Sequence, residues 1–269
     1  MNILLVNDDS VKSKGIWSLY EGFTKQGHNV WMIAPKFENS AMSHAISTRT
    51  PLRVEEIQPR VWSVSGTPAD CVLMAFEHIL INEFYPVQDE NNHNKNHIPI
   101  DLVVSGINEG PNVGCDILYS GTVAAAVEAM CFGYKSIAIS IAGVHNHKFN
   151  TATTCLLDLL AQGILDFIDK REILNINIPN LEYEEIQGFS ICEAGFSRYE
   201  ACITQSVDGR NRRVFWIGGT EPNFEYSKYE LDFYVLENDR VAITPLKVNF
   251  NNYEKMQILT EWMNKVSKN

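Results

Sequence analysis

Several signals that would place this 269-residue chain in a specialised class are missing from it. No two of its six cysteines (Cys71, Cys115, Cys131, Cys155, Cys192 and Cys202) are spaced as C-x-x-C, so neither a zinc ribbon nor a thioredoxin-like site is indicated. In a chain of this length they read as buried free thiols rather than a disulfide framework. Positive charge is scarce: 22 Lys and Arg stand against 33 Asp and Glu, a formal net charge of −11. Such a balance leaves no basic face to track a phosphate backbone, which argues against stable nucleic-acid binding. A small phosphorylated ligand stays open, because a bound cation reverses the local sign. No apolar run approaches the length of a membrane span. The N-terminus has no basic segment followed by an apolar stretch and a small-residue cleavage site. The expectation is therefore a cytoplasmic protein without a membrane partner. No internal repeat is visible.

What is present is a composition of 45% hydrophobic and 20% charged residues, enough for a sizeable core. The length allows one large domain or one and a half. Residues 1–6 read as a short apolar strand that stops at Asn7-Asp8-Asp9. Adjacent carboxylates straight after a strand need solvent, hydrogen bonds or a cation to stay charged. In an open α/β sheet, the carboxyl ends of the strands are also where ligands bind. Ile16, Leu19, Tyr20 and Phe23 then sit at i, i+3, i+4 and i+7, an amphipathic helix. A strand at 30–34 follows, closed by Pro35, which completes a βαβ unit and predicts a parallel sheet.

The next stretch, 36–49, is a long polar loop with Asn39, Ser40, Ser43, His44, Ser47 and Thr48. Short strands are expected at 52–57 and 61–64. The turn Gly66-Thr67-Pro68-Ala69-Asp70 leads into a helix with Val72, Leu73, Phe76 and Leu80 on its core face. Residues 91–97 are polar and low in complexity, a solvated insertion. A strand at 100–104 precedes a Gly/Asn-rich run, 105–122, and a small-sided helix at 123–132. A strand at 137–141, a long helix at 151–168 with Leu156, Leu160, Ile164 and Phe167 on one side, and a strand at 174–178 complete the alternation. Beyond that the pattern changes to short alternating strands, including 188–192, 214–217 and 233–236, with turn signals at Asp208-Gly209 and Gly218-Gly219. This predicts an antiparallel hairpin extension. A last helix at 253–266 carries Met256, Trp262 and Met263 on more than one face, which suits packing on another subunit.

Three segments leave candidate strands and converge on one edge. They bring Asp8 and Asp9, then Asn39 and Ser40, then Asn108 and Asn112. Two carboxylates with neutral oxygens suit a hard divalent cation, Mg²⁺ or Mn²⁺, whereas zinc would want more nitrogen or sulfur. Ser120-Gly121-Thr122 enters a helix and matches an anion site, where free N–H groups and the helix dipole favour a phosphate. A metal beside a phosphate implies phosphoryl chemistry. Each feature also has a plainer reading. The acidic pair can be a solvated helix N-terminus, Ser40 a loop serine, Asn108 and Asn112 turn residues, and Ser120 a helix cap. Taken together the metal reading outweighs these. His93 and His97 read as solvated, His145 and His147 as loop residues, and Glu128 as structural. His44 lies near the site, with a substrate or proton-transfer role open to it. Phe196, Tyr199, Phe215 and Trp216 read as hairpin packing or a subunit interface.

The same residues carry a resemblance. Asn7-Asp8-Asp9, Ala34-Pro35 with Asn39-Ser40, Gly66-Thr67-Pro68-Ala69-Asp70-Cys71, Ser105-Gly106-Ile107-Asn108-x-Gly110-x-Asn112-x-Gly114 with Tyr119-Ser120-Gly121-Thr122-Val123, Asn175-Ile176-Asn177-Ile178-Pro179 and Ile243-Thr244-Pro245-Leu246 occur in this order. Together they resemble the SurE family, the stationary-phase survival nucleotidases. The resemblance implies a metal-dependent phosphatase acting on nucleoside 5′- and 3′-monophosphates, sometimes on short polyphosphate. It implies a Rossmann-like α/β core, three layers with a mostly parallel sheet, and a homodimer or homotetramer. On that pattern residues 1–180 form the catalytic core. Residues 181–269 form a β-hairpin arm and terminal helix for oligomerisation, not an independent domain. The family's ligands to one divalent cation per subunit fall on Asp8, Asp9, Ser40 and Asn108, and Asn112, Ser120, Gly121 and Thr122 are left for substrate phosphate. Where the family usually has glycine, this chain has Ser10, Ala41, Ala124 and Ala129. Serine or alanine disfavours φ > 0, so loop conformation is where these changes would tell. Two rivals remain in view: a receiver-like signalling module, which also places acids after its first strand, and a sugar-nucleotide glycosyltransferase, suggested by Gly27-His28-Asn29-Val30.

Overall fold

The computed structural model describes residues 1–82, 98–198, 201–219, 223–224, 227 and 229–266. The polar stretch at 91–97, with His93 and His97, and Tyr199 lie outside the described residues. In chain order the elements are β1 (Asn2–Val6), α1 (Lys14–Lys25), β2 (Asn29–Pro35), β3 (Val54–Gln58), β4 (Val61–Val64) and α2 (Pro68–Met74), which runs on through a π-turn at Ala75–Ile79 into α3 (Leu80–Asn82). Then come β5 (Leu102–Glu109), α4 (Gly121–Cys131), β6 (Ser136–Ile141), α5 (Phe149–Ala161), β7 (Glu172–Ile178), β8 (Phe189–Ile191), β9 (Ser197–Arg198), β10 (Ala201–Val207), β11 (Arg213–Gly219), β12 (Asn223–Phe224), α6 (Asp232–Glu237), β13 (Val241–Lys247) and α7 (Tyr253–Val266).

β1 is apolar throughout because both of its faces are covered. Ile3 and Leu5 point to one side, where Ile16, Leu19 and Phe23 of α1 and Ala152, Cys155 and Leu156 of α5 are buried. Leu4 and Val6 point to the other, against Cys71, Val72 and Phe76 and against Ala125 and Ala129 of α4. The alanines of α4 let that helix lie close to the sheet. Helices thus sandwich one nine-stranded sheet of order β3-β4-β2-β1-β5-β6-β7-β13-β8. The run β4-β2-β1-β5-β6-β7 is parallel, and β3 pairs antiparallel with β4 at one edge. Strand order reverses between β1 and β5: the chain first adds β2 and β4 on one side of β1, then β5, β6 and β7 on the other. That reversal opens a crevice at the carboxyl ends of β1 and β5, the place where such sheets bind ligands.

Four expectations from the sequence need correcting. The helix expected over 151–168 is α5, which stops at Ala161; Gly163 follows at φ +83° and turns the chain into a short 3₁₀ segment, Ile164–Phe167, whose Phe167 is exposed. The strand expected at 233–236 is the helix α6, with Leu231 and Val235 buried four residues apart, a helical rather than a two-residue period. Not all strands after 188 belong to the hairpin: β13 adds antiparallel to β7 and β8 adds parallel to β13, so both extend the main sheet. The hairpin proper is β10–β11, closed at Asp208, and Gly218-Gly219 lies inside β11 rather than in a turn. Among the cysteines, Cys71, Cys155 and Cys192 are buried free thiols as expected, whereas Cys131 is exposed. Among the described residues no helix is long and apolar enough to cross a membrane.

Candidate active site

The turn after β1 is built from inside. Asn7 is fully buried, and its amide nitrogen donates to the Ser10 carbonyl at 2.9 Å and to Ser13 Oγ at 2.7 Å, folding residues 7–13 back over the strand end. This fixes Asp8 and Asp9 at the lip of the crevice. Asp8 is almost completely buried, and the Thr122 hydroxyl donates to its Oδ1 at 2.5 Å. The N-terminus of α4 lies against the same carboxylate. A Cβ on Gly121 would sit 2.9 Å from Asp8 Cβ and 3.0 Å from its Oδ2, so only glycine allows this approach. Ser120 caps α4 by accepting from the Val123 N–H at 3.0 Å. The positive end of a helix therefore faces Asp8.

Burial holds the Asp8 carboxyl above the usual carboxylate range, opposed by the hydrogen bonds from Thr122. Asp9 accepts from the Glu109 N–H at 3.3 Å, and burial, then the charge of Asp8, pushes it up to about 7. Glu38 and Glu109 add negative charge around the pair. Among the described residues no Lys or Arg forms an ion pair with Asp8 or Asp9. Buried neighbouring carboxylates with no cationic partner are the arrangement a hard divalent cation relieves. Among the described residues no three His, Cys, Asp or Glu side chains are grouped to hold a metal, so a cation here would rest on two carboxylates and neutral oxygens. The donor chemistry fits Mg²⁺ or Mn²⁺ rather than zinc.

The second segment is tied to the first through the backbone. The Asn39 N–H donates to the Asp8 carbonyl at 2.8 Å, which brings the loop alongside. Ser40 follows, its hydroxyl donating to Glu38 Oε1 at 2.9 Å. Further on, the loop is pinned to two helices. Ser43 binds the Tyr119 and Leu118 carbonyls through its N–H and hydroxyl at 2.9 and 2.7 Å, and His44 Nε2 meets Glu128 Oε2 of α4 at 2.6 Å. At the start of α2, the Thr67 hydroxyl donates to the Ala45 carbonyl at 2.6 Å, and Asp70 accepts from the Ser47 N–H at 2.9 Å.

The third segment bends as it leaves β5. The register against β6 shifts between Ser105 and Asn108, which re-aims the side chains that follow. Gly106 makes this possible: its φ is +138° and a Cβ there would fall 2.2 Å from the Ile139 carbonyl oxygen. Asn108 spends its amide nitrogen on the Gly110 carbonyl at 2.8 Å, so its carbonyl oxygen is the atom a cation would use. Asn112 goes deeper. Its side chain donates to Ser140 Oγ at 2.8 Å, its N–H donates to Asn177 Oδ1 at 2.8 Å, and its carbonyl accepts from Asn175 and Asn177 at 2.8 and 3.1 Å. The structure thus brings the Asp8–Asp9 turn, the Ser40 loop and the α4 N-terminus together by direct contact, with Asn108 beside Glu109 and Asn112 anchoring the Gly/Asn-rich loop to β6 and β7.

Comparison with known proteins gives the chain a family. The family described as Survival protein SurE matches residues 3–201. This chain belongs to the SurE family. A relative from Geobacter sulfurreducens, named 5'-nucleotidase SurE, is 39% identical over 264 residues, covering 97% of this chain and 94% of its own length. One of the same name from Actinobacillus pleuropneumoniae is 36% identical, covering 97% and 99%. The crystal structure of the Sure protein from Aquifex aeolicus superposes with a TM-score of 0.80 at 33% identity, over 98% of this chain and all of that one. Nothing in these likenesses favours the receiver-like or glycosyltransferase readings. Two of the positions where SurE members usually carry glycine prove to need unusual backbone here: Ser10 stands at φ +91° and Ala41 at φ +57°. Ala124 and Ala129 lie inside α4, where alanine is at ease. Sequence reasoning missed Glu38 and Glu109 as charges around the pair, the bond from Thr122 to Asp8, and the pairing of His44 with Glu128. None of these has a local signal, since each joins segments tens of residues apart or an acid in an ordinary loop position.

Proposed function

We propose that this SurE member is a divalent-cation-dependent phosphomonoesterase that hydrolyses nucleoside 5′- (and 3′-) monophosphates to nucleoside and phosphate. The observation that carries the proposal is the Asp8–Asp9 pair, raised by burial, without a cationic partner among the described residues, and set against a helix N-terminus at the sheet's crevice. The name 5'-nucleotidase borne by the relatives supports the choice of substrate.

In this reading Asp8, Asp9, Ser40 and Asn108 hold one Mg²⁺ or Mn²⁺ per subunit. When bound, the cation supplies Lewis acidity that draws charge from the phosphoryl oxygens and activates water. The chain's own residues do the rest. Thr122 fixes which Asp8 oxygen faces the crevice. The Ser120 N–H is spent on the Asp116 carbonyl and the Thr122 N–H on Asp8, so the Ser120-Gly121-Thr122 turn offers the phosphate its Gly121 N–H and the helix dipole. Asn112 fixes the loop between Asn108 and Ser120 so that phosphate binds a preformed surface. Water attacks in line with the leaving oxygen; a route through an aspartyl-phosphate at Asp8 would instead leave Asp8 labelled on phosphate trapping. Residues 1–180 serve as the catalytic core and 181–269 as an arm and terminal helix that build a dimer or tetramer. Support for that assembly comes from the exposed Ile203, Phe215, Trp216 and Ile217 of the hairpin and from Met256, Leu259, Trp262 and Met263 of α7. Free buried thiols favour the reducing cytoplasm as its setting.

The test is phosphate release from nucleoside monophosphates with Mn²⁺ or Mg²⁺, with and without chelator, in the wild type and in Asp9→Asn. Turnover that survives chelation, or full activity in Asp9→Asn, would overturn the proposal.

A further inference from the structure

Phosphate monoester hydrolysis asks for something that four oxygen ligands do not provide. When the P–O bond breaks, its electron pair stays on a nucleoside oxygen, an alkoxide that leaves poorly unless a proton reaches it in the transition state. A side chain of a type that donates and accepts protons, and placed beside the phosphate turn, is therefore needed.

His44 meets both conditions. It lies on the loop that carries Ser40, and together with Ser120 it lines a cavity of about 290 Å³ between that loop and α4. Ser120 directly precedes Gly121, the residue packed on Asp8. The cavity thus reaches the proposed phosphate turn at Ser120, and its apolar walls, among them Ile117, Leu118 and Val123, leave room for a leaving group. The imidazole is oriented rather than adrift. Its Nε2 is 2.6 Å from Glu128 Oε2, and Glu128 is held on α4 and mostly buried. The ring itself is 37% exposed, and Nδ1 has no partner among the described residues. Other proton carriers nearby are engaged. Lys247, on the same cavity, pairs with Glu172 at 3.4 Å. His147 has Nε2 at 3.1 Å from the Gly143 carbonyl and Nδ1 at 3.7 Å from Glu109, and its side chain is only 8% exposed.

We infer that His44 is the proton donor to the leaving nucleoside oxygen, and that Glu128 is the positioning residue that aims it. With the Nε2 proton held by the Glu128 carboxylate, the imidazolium presents Nδ1–H to the substrate. Water oxygen bonds to phosphorus, the P–O bond to the nucleoside breaks, and its electron pair takes the Nδ1 proton. The attacking water releases one proton to solvent, which restores the imidazolium, and keeps the other on the product phosphate. This inference rests on the phosphomonoesterase reading above, and the test separates the two.

The test compares two substrates whose leaving groups differ in their need for a proton. A nucleoside monophosphate needs one; 4-nitrophenyl phosphate, which expels a stable phenolate, does not. His44→Ala and His44→Gln should lower kcat on the nucleotide by ~10²–10³-fold. On 4-nitrophenyl phosphate the loss should be at least ten times smaller. Free imidazole should restore part of the nucleotide activity of His44→Ala. Glu128→Gln should show the same selectivity with a smaller loss. His44→Gln keeps a donor to Glu128, so a purely structural role would leave it active on both substrates. Equal losses on the two substrates, or no loss on either, overturn the assignment of His44 and leave the phosphomonoesterase reading standing. Absence of cation-dependent phosphate release by the wild-type protein from either substrate overturns both.

Discussion

Replacing Thr122 by valine tests the site at its most buried contact. Threonine and valine have nearly the same shape, so the change removes a hydroxyl from a fully buried position without opening a large cavity. What is lost is the 2.5 Å hydrogen bond to Asp8 Oδ1. A hydrogen bond to a charged group contributes about 1.5–3 kcal/mol. Asp8 is already held above the usual carboxylate range by burial, and the Thr122 bonds are what oppose that. Without the hydroxyl, the carboxyl keeps its proton more firmly, and a cation must displace it. Loss of an oriented partner behind a metal ligand costs about 10–100-fold in affinity, or about 1.4–2.7 kcal/mol. The two figures agree because they describe one interaction seen from the proton and from the metal. Titration of metal-free protein with Mn²⁺, followed by calorimetry, should therefore show a Kd raised about 10–100-fold in Thr122→Val and within about three-fold of wild type in Thr122→Ser. Excess cation should restore most of the rate in the valine variant. An unchanged Kd in Thr122→Val would refute the reasoning, and so would an equal fall in Thr122→Ser, which would assign the effect to packing. A raised KM that excess cation does not correct would move the hydroxyl from Asp8 to the substrate.

Other outcomes follow from single features. Ser10 sits at φ +91°, a backbone that costs an L residue about 1–2 kcal/mol, while glycine loses about 0.5–1 kcal/mol of extra entropy on folding. Ser10→Gly should therefore raise the melting temperature by about 1–3 °C, and a clear fall would show that the 3.3 Å bond from the Lys12 N–H to Ser10 Oγ matters more than the backbone. In Gly121→Ala the new methyl meets Asp8 at 2.9 Å, so α4 or the carboxylate must shift; cation-dependent activity should drop at least about ten-fold, and wild-type activity would contradict the close packing described here. Cys155 is pushed from its ordinary 9.0 up to about 12, by burial first and then the charge of Asp158. The stability that this neutral thiol protects is fully present below pH 9 and is lost as pH climbs through 12, about 2–4 kcal/mol after allowing for solvent screening. Alkaline unfolding monitored by circular dichroism should accordingly be less steep in Cys155→Ala. Under native conditions an aromatic disulfide should label exposed Cys131 ahead of buried Cys71, Cys155 and Cys192, and labelling of all at one rate would contradict their burial.

The parts of the fold legible from sequence were those where local pattern and tertiary role coincide. The βαβ alternation through residue 178 follows from apolar runs bounded by glycine and proline, and α1 from its four-residue stripe. The long helix over 151–168 failed for a specific reason: Leu160, Ile164 and Phe167 continue the period across Gly163, but one glycine at φ +83° is enough to stop the helix. Residues 233–236 were misjudged because four apolar or aromatic residues in a row carry no period at all, and burial of Val235 against Ala242 and Cys192 decided their conformation. The return of β13 to the main sheet depends on pairing with a strand some 70 residues earlier, and nothing within β13 itself encodes that choice. At the site, residue types and order were legible from the motif, whereas the partners were not. Which oxygen of Asp8 Thr122 would reach, or that Glu128 would face His44, depends on helix placement to within an ångström.

The two aspartates, alike in sequence, therefore have different work. Asp9 touches the fold lightly, through one 3.3 Å bond from the Glu109 N–H, and burial beside Asp8 holds it near 7. Under the proposed function, a bound cation would be its main partner. Asp8 is a structural joint as well. Its carbonyl receives the Ser40 loop through Asn39, its Oδ1 receives Thr122, and its side chain fills the space that Gly121 leaves open. Three segments distant in sequence are thereby fixed relative to one oxygen-rich point before any ligand arrives. Under the proposed cation site, such preorganisation is what would allow neutral, individually weak donors such as Ser40 and Asn108 to contribute: the entropy of bringing them together is settled by folding rather than by binding. It also accounts for the glycines and the buried asparagines around the site. Gly106 and Gly121 permit the close approaches, Asn7 satisfies the Ser10 carbonyl, and Asn175 and Asn177 satisfy the buried Asn112 carbonyl.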